Sequence, residues 1–198
     1  NCIVKIDGAG TVWHLAGNGG GGGYSGDGGP ATAAELHRPW DVTADAAGNV
    51  YVADLGNNVI RKINPSGIIS TYAGNQSMGF SGDGGPAIKA QFNGPTAIKS
   101  DDSGNVYIAD RMNDRIRKIN TKGIISTVAG NGSRGYAGDG GLATDASLDR
   151  PLGVAIAKTG HIYIGDFYSC VVRKVTPKPN IASVTDAGQK MTDLKVYP

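Results

Sequence analysis

Three aspartates, each set among glycines, are the first residues in this chain whose type and setting could do chemistry. Asp27 lies in Gly23-Tyr24-Ser25-Gly26-Asp27-Gly28-Gly29-Pro30-Ala31, Asp83 in Gly79-Phe80-Ser81-Gly82-Asp83-Gly84-Gly85-Pro86-Ala87, and Asp139 in Gly135-Tyr136-Ala137-Gly138-Asp139-Gly140-Gly141-Leu142-Ala143. The step is 56 residues each time (83 − 27 and 139 − 83). A carboxylate invites calcium, a hard cation that wants six to eight oxygens. One carboxylate per loop, flanked by glycines, is a poor cage. Asp27, Asp83 and Asp139 are therefore read as structural residues that cap backbone N–H groups in glycine-rich turns.

A second set recurs at the same step. Arg61, Arg117 and Arg173 each precede a lysine, and Asp54, Asp110 and Asp166 stand a few residues upstream. A basic stripe would suit nucleic acid. The net charge of only +2 argues against it. The expectation is structural Arg–Asp pairs, held bidentately, and no nucleic-acid partner. His14, His37 and His161 do not fall at equivalent positions, so they build no metal set. No nucleophile stands beside a base. Asn131-Gly132-Ser133-Arg134-Gly135 lacks the Gly-Lys-Ser/Thr of a phosphate loop. No catalytic residue, metal or cofactor is assigned.

The elements that must position these residues repeat with them. A fixed period of this length means a solenoid, a propeller or an array. Each unit reads as four short strands joined by tight turns, then a loop of about twenty residues that carries the aspartate. The first full unit has Trp40 to Asp45, Val50 to Asp54, Val59 to Ile63 and Ile68 to Ala73. The second has Pro95 to Asp101, Val106 to Asp110, Arg115 to Ile119 and Ile124 to Ala129. The third has Pro151 to Ala157, Ile162 to Asp166, Val171 to Val175 and a decayed strand at Ile181 to Thr185. β-Branched and aromatic residues fill these runs, and Gly and Asn fill the turns. Asn1 to Ile6 and Thr11 to Ala16 match the last two strands of a unit. The only helical hint is one or two turns at Pro30 to Leu36 and its copies, with Pro where a first turn tolerates it. Four antiparallel strands per unit is the pattern of a β-propeller blade. The fold class is all-β: three full blades and half of a preceding one over residues 1–185, part of a larger ring, with 186–198 a linker.

The pattern Pro39…Asp45…Gly48-Asn49-Val50-Tyr51-Val52-Ala53-Asp54…Asn57…Ile60-Arg61-Lys62-Ile63 resembles the NHL repeat. The Gly-Asp-Gly-Gly loops followed by Ala31, Ala34 and Leu36 resemble the long-repeat variety of secreted bacterial proteins and of the teneurin propeller. That resemblance implies a propeller acting as a binding or scaffold module. A minority of related propellers are lyases or hydrolases, which leaves a propeller enzyme, with its site on blades outside this segment, as the alternative. Leu194-Lys195-Val196-Tyr197-Pro198 resembles the opening of a type IX secretion sorting domain. The two resemblances together imply an extracellular or cell-surface protein, with a protein or glycan as partner.

Alternating strand direction puts the turn after the second strand and the loop after the fourth on one face. The turns Leu55 to Asn58, Arg111 to Asp114 and Phe167 to Cys170 differ while the strands stay alike, as on a binding face over a uniform scaffold. Tyr24, Phe80, Tyr136, Arg111, Arg134, Phe167 and Tyr168 are the candidate binding residues. No run of about 18 apolar residues is present to span a membrane. Cys2 and Cys170 are too far apart in the blade register for a disulfide, so two free thiols are expected. An unclosed arc leaves apolar faces at its ends and invites self-association.

Overall fold

The computed structural model describes residues 1–176 and 196–197. It contains fourteen strands in this order. The first two are β1 (Ile3–Ile6) and β2 (Val12–Ala16). The first full blade is β3 (Pro39–Ala44), β4 (Val50–Asp54), β5 (Val59–Ile63) and β6 (Ile69–Ala73). The next is β7 (Pro95–Ser100), β8 (Val106–Asp110), β9 (Arg115–Ile119) and β10 (Ile125–Ala129). The last is β11 (Pro151–Ile156), β12 (Ile162–Asp166), β13 (Val171–Val175) and β14 (Val196–Tyr197). Every pairing between these strands is antiparallel. They form a two-stranded sheet, β1–β2, and three four-stranded sheets in meander order.

In the last sheet the strand expected at Ile181 to Thr185 lies outside the described residues. There β14 holds the outermost place, with Val196 opposite Val175 and Tyr197 opposite Lys174. This is part of the stretch read from the sequence as a linker.

The sheets pack face on face. Tyr51, Ala53, Ile60 and Ala73 of the first full blade meet Phe92, Ile98, Ile108, Ile119 and Ile125 of the second or its entering loop. Tyr107, Ala109, Ile116 and Ala129 meet Val154, Ile162, Ile164 and Val175 in the same way. The short apolar runs on both faces of β4 and β8 are explained by this double cover. Polar contacts join the innermost strands: the Asp41 carboxylate accepts from Ile98 N and Lys99 Nζ, both at 3.0 Å.

The long loop has a task that its sequence alone does not disclose. Alternating strand direction places it on the face with the turns after the second strands. Its ends are there: Gly23 O accepts Asn57 Nδ2 and His37 O accepts Gly56 N, each at 2.8 Å. The Gly-Asp-Gly-Gly segment is not. It runs along the outer edge of β6, where Gly28 N donates to Ile69 O, Ile69 N to Gly29 O and Ala31 N to Gly67 O. Gly84, Gly85 and Ala87 do the same for Ile125 and Gly123 beside β10. An open strand edge is a row of unpaired N–H and C=O groups. The loop of one repeat pairs with the edge of the next blade, and this links neighbours covalently and by hydrogen bonds.

Single turns of 3-10 helix at Ala31–Ala33 and Ala87–Lys89 follow Pro30 and Pro86, as expected. Those at Leu55–Asn57 and Arg111–Asn113, where the sequence pattern shows only a turn, end on left-handed Asn58 (φ 53) and Asp114 (φ 54).

Candidate binding face

Each blade is held by one buried arginine. Arg61 and Arg117 have fully buried side chains, and Arg173 is nearly so. Arg117 Nη2 lies 2.7 Å from Asp83 Oδ1 and its Nη1 3.2 Å from Asp110 Oδ2. Arg61 is 2.6 Å from Asp27 and 3.7 Å from Asp54. Arg173 is 2.5 Å from Asp139. The shorter contact is thus made to the loop aspartate, and no ion pair joins Arg173 to Asp166 among the described residues. The arginines also donate to loop carbonyls: Ser25 O and Glu35 O, Ser81 O and Gln91 O, Ala137 O and Ser147 O.

The loop aspartates do cap backbone: Asp27 Oδ2 accepts Thr71 N and Asp83 Oδ2 accepts Thr127 N, each at 3.0 Å. Burial works against the Asp27 charge, but the Thr71 hydrogen bonds and the Arg61 guanidinium hold its carboxyl below the ordinary value. Asp139 is likewise lowered, chiefly by the Tyr136 hydroxyl. The strand-end aspartates behave oppositely. Burial pushes the Asp110 carboxyl up to about 6 against the pull of Asn113, Asn93 N–H and Arg117. Asp54 and Asp166 are raised for the same reason. Their Oδ1 atoms accept His37 N and Asp149 N at 2.7 Å, and Asp110 accepts Asn93 N at 2.8 Å. Asn57 and Asn113 hold the second oxygen of Asp54 and Asp110 at 2.8 Å. Ser169 stands at that position in the third repeat, and Asp166 Oδ2 has no partner.

Tyr24, Phe80 and Tyr136 each cover their arginine. The guanidinium carbon lies 4.9 Å from the Tyr24 centroid, 4.7 Å from Phe80 and 5.2 Å from Tyr136. Tyr24 Oη also reaches Thr71 Oγ1 at 2.5 Å. These three candidates cover the structural arginines, and the carbonyls of Gly23 and Gly79, just before Tyr24 and Phe80, accept from Asn57 and Asn113 of the turns. Arg111, Phe167 and Tyr168 do lie in those turns. Phe167 and Tyr168 are more than half exposed and meet edge to face at 5.1 Å. Arg134 joins them through Asp114, its Nε 3.4 Å from Asp114 Oδ2.

Sequence reasoning missed a set of residues that clamp neighbouring blades. Asn58 Oδ1 accepts Gly94 N at 2.9 Å, and Asp114 Oδ1 accepts Arg150 N at 2.8 Å. Asn1 Oδ1 accepts Arg38 N at 2.7 Å. The receiving residues are left-handed in each case, at φ 52 for Arg38, 61 for Gly94 and 51 for Arg150. The shared type and spacing of Asn58 and Asp114 were the available signal. Arg150, stacked 4.8 Å from the Tyr168 centroid, and Arg115, 3.8 Å from Phe80, have no arginine counterpart in the adjacent repeats of the sequence.

A loop aspartate, a buried arginine and an aromatic cover recurring in register define this repeat as a three-dimensional unit, and the teneurin NHL domain matches residues 20–81 and 78–136. The chain belongs to the teneurin NHL domain family. This NHL propeller is 30% identical over 161 residues to Teneurin-4 of Mus musculus, covering 74% of the chain and 5% of the relative. It is 30% identical over 169 residues to Teneurin-1 of Gallus gallus, covering 79% and 6%. The chain therefore spans a small part of these relatives. An auxiliary nutrient binding protein from Bacteroides thetaiotaomicron superposes with a TM-score of 0.63 at 19% identity, over 87% of this chain and 42% of that one. A second protein from the same organism, of unknown function, gives 0.63 at 24% identity over 73% and 37%. At such identities the likeness concerns the propeller fold. No helix of the described residues is long and apolar enough to cross a membrane.

Proposed function

We propose that this NHL propeller is a non-catalytic binding or display module that works outside the cell or at its surface. Its ligand, a glycan or a protein, would bind the face formed by the turns 55–58, 111–114 and 167–170. One observation carries this reading. Buried arginines, loop aspartates and edge-covering loops repeat from blade to blade, while the turns on that face change from Leu55-Gly56 to Arg111-Met112 to Phe167-Tyr168. A scaffold that is constant where it packs and varied where it is exposed suits recognition. The nutrient-binding fold neighbour is consistent with a ligand-binding propeller. The exposed face offers aromatic and arginine side chains, which dominate recognition surfaces. Export through type IX secretion belongs to the same proposal and rests on the likeness of the tail; Leu194, Lys195 and Pro198 lie outside the described residues.

The test is nuclear magnetic resonance of the 20.3 kDa chain against a panel of soluble oligosaccharides and extracellular protein domains. Shifts are expected in the three turns, with the ligand recovered unchanged. Shifts confined to the opposite turns, 46–49, 102–104 and 158–160, would overturn the placement. Turnover of the ligand would overturn the non-catalytic reading in favour of a propeller enzyme.

A further inference from the structure

One junction on this face departs from the repeat. Between the second and third full blades, Arg111 replaces Leu55, Arg115 replaces Val59, Arg134 replaces Met78 and Arg150 replaces Gly94. All four gather around Asp114. Arg111 begins the 3-10 turn that Asp114 closes, with Asp114 N donating to Arg111 O. Arg134 pairs with the Asp114 carboxylate and Arg150 donates its N–H to it. Arg115 directs its guanidinium to Asn113 O and Asn131 O at 3.0 and 2.7 Å. Two further carboxylates stand nearby, Asp149 next to Arg150 and Asp166, which accepts Asp149 N at 2.7 Å, while Asp110 below is engaged with Arg117.

The charge at this junction is not neutralised. The Arg111 side chain makes no ion pair or hydrogen bond among the described residues, and its buried Nε lacks a partner. Arg150 Nε is also buried without one. Arg134 uses Nε alone, and its side chain is half exposed. The Nη groups of Arg111, Arg134 and Arg150 make no hydrogen bond or ion pair among the described residues, so these charged donors are left to an incoming acceptor. The Arg150 guanidinium lies 4.8 Å from the Tyr168 ring centre, and Phe167 meets Tyr168 edge to face; both rings are more than half exposed.

Resting on the binding reading above, we infer that this junction is a binding site for an acidic oligosaccharide, one bearing carboxylate groups. A guanidinium fork matches a carboxylate bidentately. A flat, exposed aromatic ring offers the apolar surface on which the C–H face of a sugar ring stacks, while its edge stays wet. A peptide bound by strand addition would need a free sheet edge, and the outer edges of β6 and β10 are covered by Gly28–Gly29 and Gly84–Gly85; an acidic peptide held by the arginines alone would leave the exposed rings of Phe167 and Tyr168 without a use. A nucleic acid would need a basic stripe along its length; here the excess charge is confined to one junction of a chain with net charge +2.

The experiment is calorimetric titration of the chain with an oligogalacturonate and with its carboxyl-reduced counterpart, at low and moderate salt. Two variants copy residues that this chain itself uses at equivalent positions, Arg111→Leu and Arg150→Gly, so the fold is kept. The acidic sugar should bind, more weakly as salt rises, and each variant should lose about tenfold or more in affinity. The reduced sugar should not bind measurably. Equal binding of the two sugars, unchanged affinity in the variants, or no binding of the acidic sugar would overturn the inference. So would tighter binding of a polyglutamate peptide or an RNA through the same arginines. Turn-face binding of any other ligand, insensitive to both variants, would leave the broader binding reading standing while this site fell.

Discussion

Arg117 and Asp83 stand 34 residues apart, yet Arg117 Nη2 lies 2.7 Å from Asp83 Oδ1 and Nε 3.1 Å from the same oxygen. The loop before a blade is thereby tied to the blade's third strand. The guanidinium is buried and the carboxylate about one-third exposed. Removing one partner of a buried pair costs about 3–5 kcal/mol, and the exposure of Asp83 favours the lower end. Arg117→Ala also strands Asp110 beneath it. We expect about 3 kcal/mol of lost stability and a melting temperature lower by about 6–12 °C. Arg117→Lys should recover only part of this, because one ammonium cannot serve Asp83, Asp110, Ser81 O and Gln91 O together. A thermal scan showing Arg117→Ala within a degree or so of the parent would refute the clamp.

The two sets of aspartates predict an unusual pH dependence. Asp110 is raised to about 6 by burial. Its folded form binds the proton more tightly than the unfolded chain, so its contribution is fully present below about 4 and is lost as pH rises through about 6. Asp27 and Asp139 are lowered, so theirs is present above about 4 and lost as pH falls through their folded values. Melting temperature should therefore rise as pH falls from 7 to 5, then drop below about 4. In Asp110→Asn the first rise should shrink. A steady decline from pH 7 downward in the parent chain would contradict this.

Gly130 and Gly84 separate two costs of a side chain. Both have left-handed backbone, φ 90 and 82. A Cβ at Gly130 would run into the carbonyl oxygen of Asp114, whereas one at Gly84 would meet nothing within 4 Å. Gly84→Ala should cost about 1–2 kcal/mol from left-handed strain alone. Gly130→Ala must also move the Asp114 clamp and should cost about 3 kcal/mol or more. Denaturant melts giving equal losses would show that the close approach is not real.

Cys2 and Cys170 are both free and exposed. A maleimide reagent should label two thiols in the native chain, and mass spectrometry should find no intramolecular bond. A Cys2–Cys170 disulfide would overturn the blade register.

The outer faces of the arc carry residues that are buried elsewhere in the repeat. Ile60 and Ile116 are fully buried, but Val172 at the same position is 70% exposed; Ile63 and Ile119 are buried, but Ile6 is 66% exposed. Residues 1–198 in isolation should self-associate through these faces, and Val172→Lys should weaken it. Sedimentation velocity showing a monomer at every concentration would count against an open arc.

The amino-acid sequence by itself determined the repeat and the limits of the second and third strands of each full blade. β4, β5, β8, β9, β12 and β13 begin and end where the short β-branched runs do, because strand and turn chemistry is local. It also marked Arg61, Arg117 and Arg173 as partners of aspartate, since their 56-residue recurrence is visible in one dimension. Only the tertiary structure decided which aspartate takes the shorter contact, that the Gly-Asp-Gly-Gly segments seal β6 and β10, and that Asn58 and Asp114 clamp the following blade. It also gathered Arg111, Arg134 and Arg150 at one junction. These contacts depend on how one sheet turns against the next. That rotation is set by packing across Ile60, Ile98 and Ile108, not by any property of a residue and its neighbours in the chain.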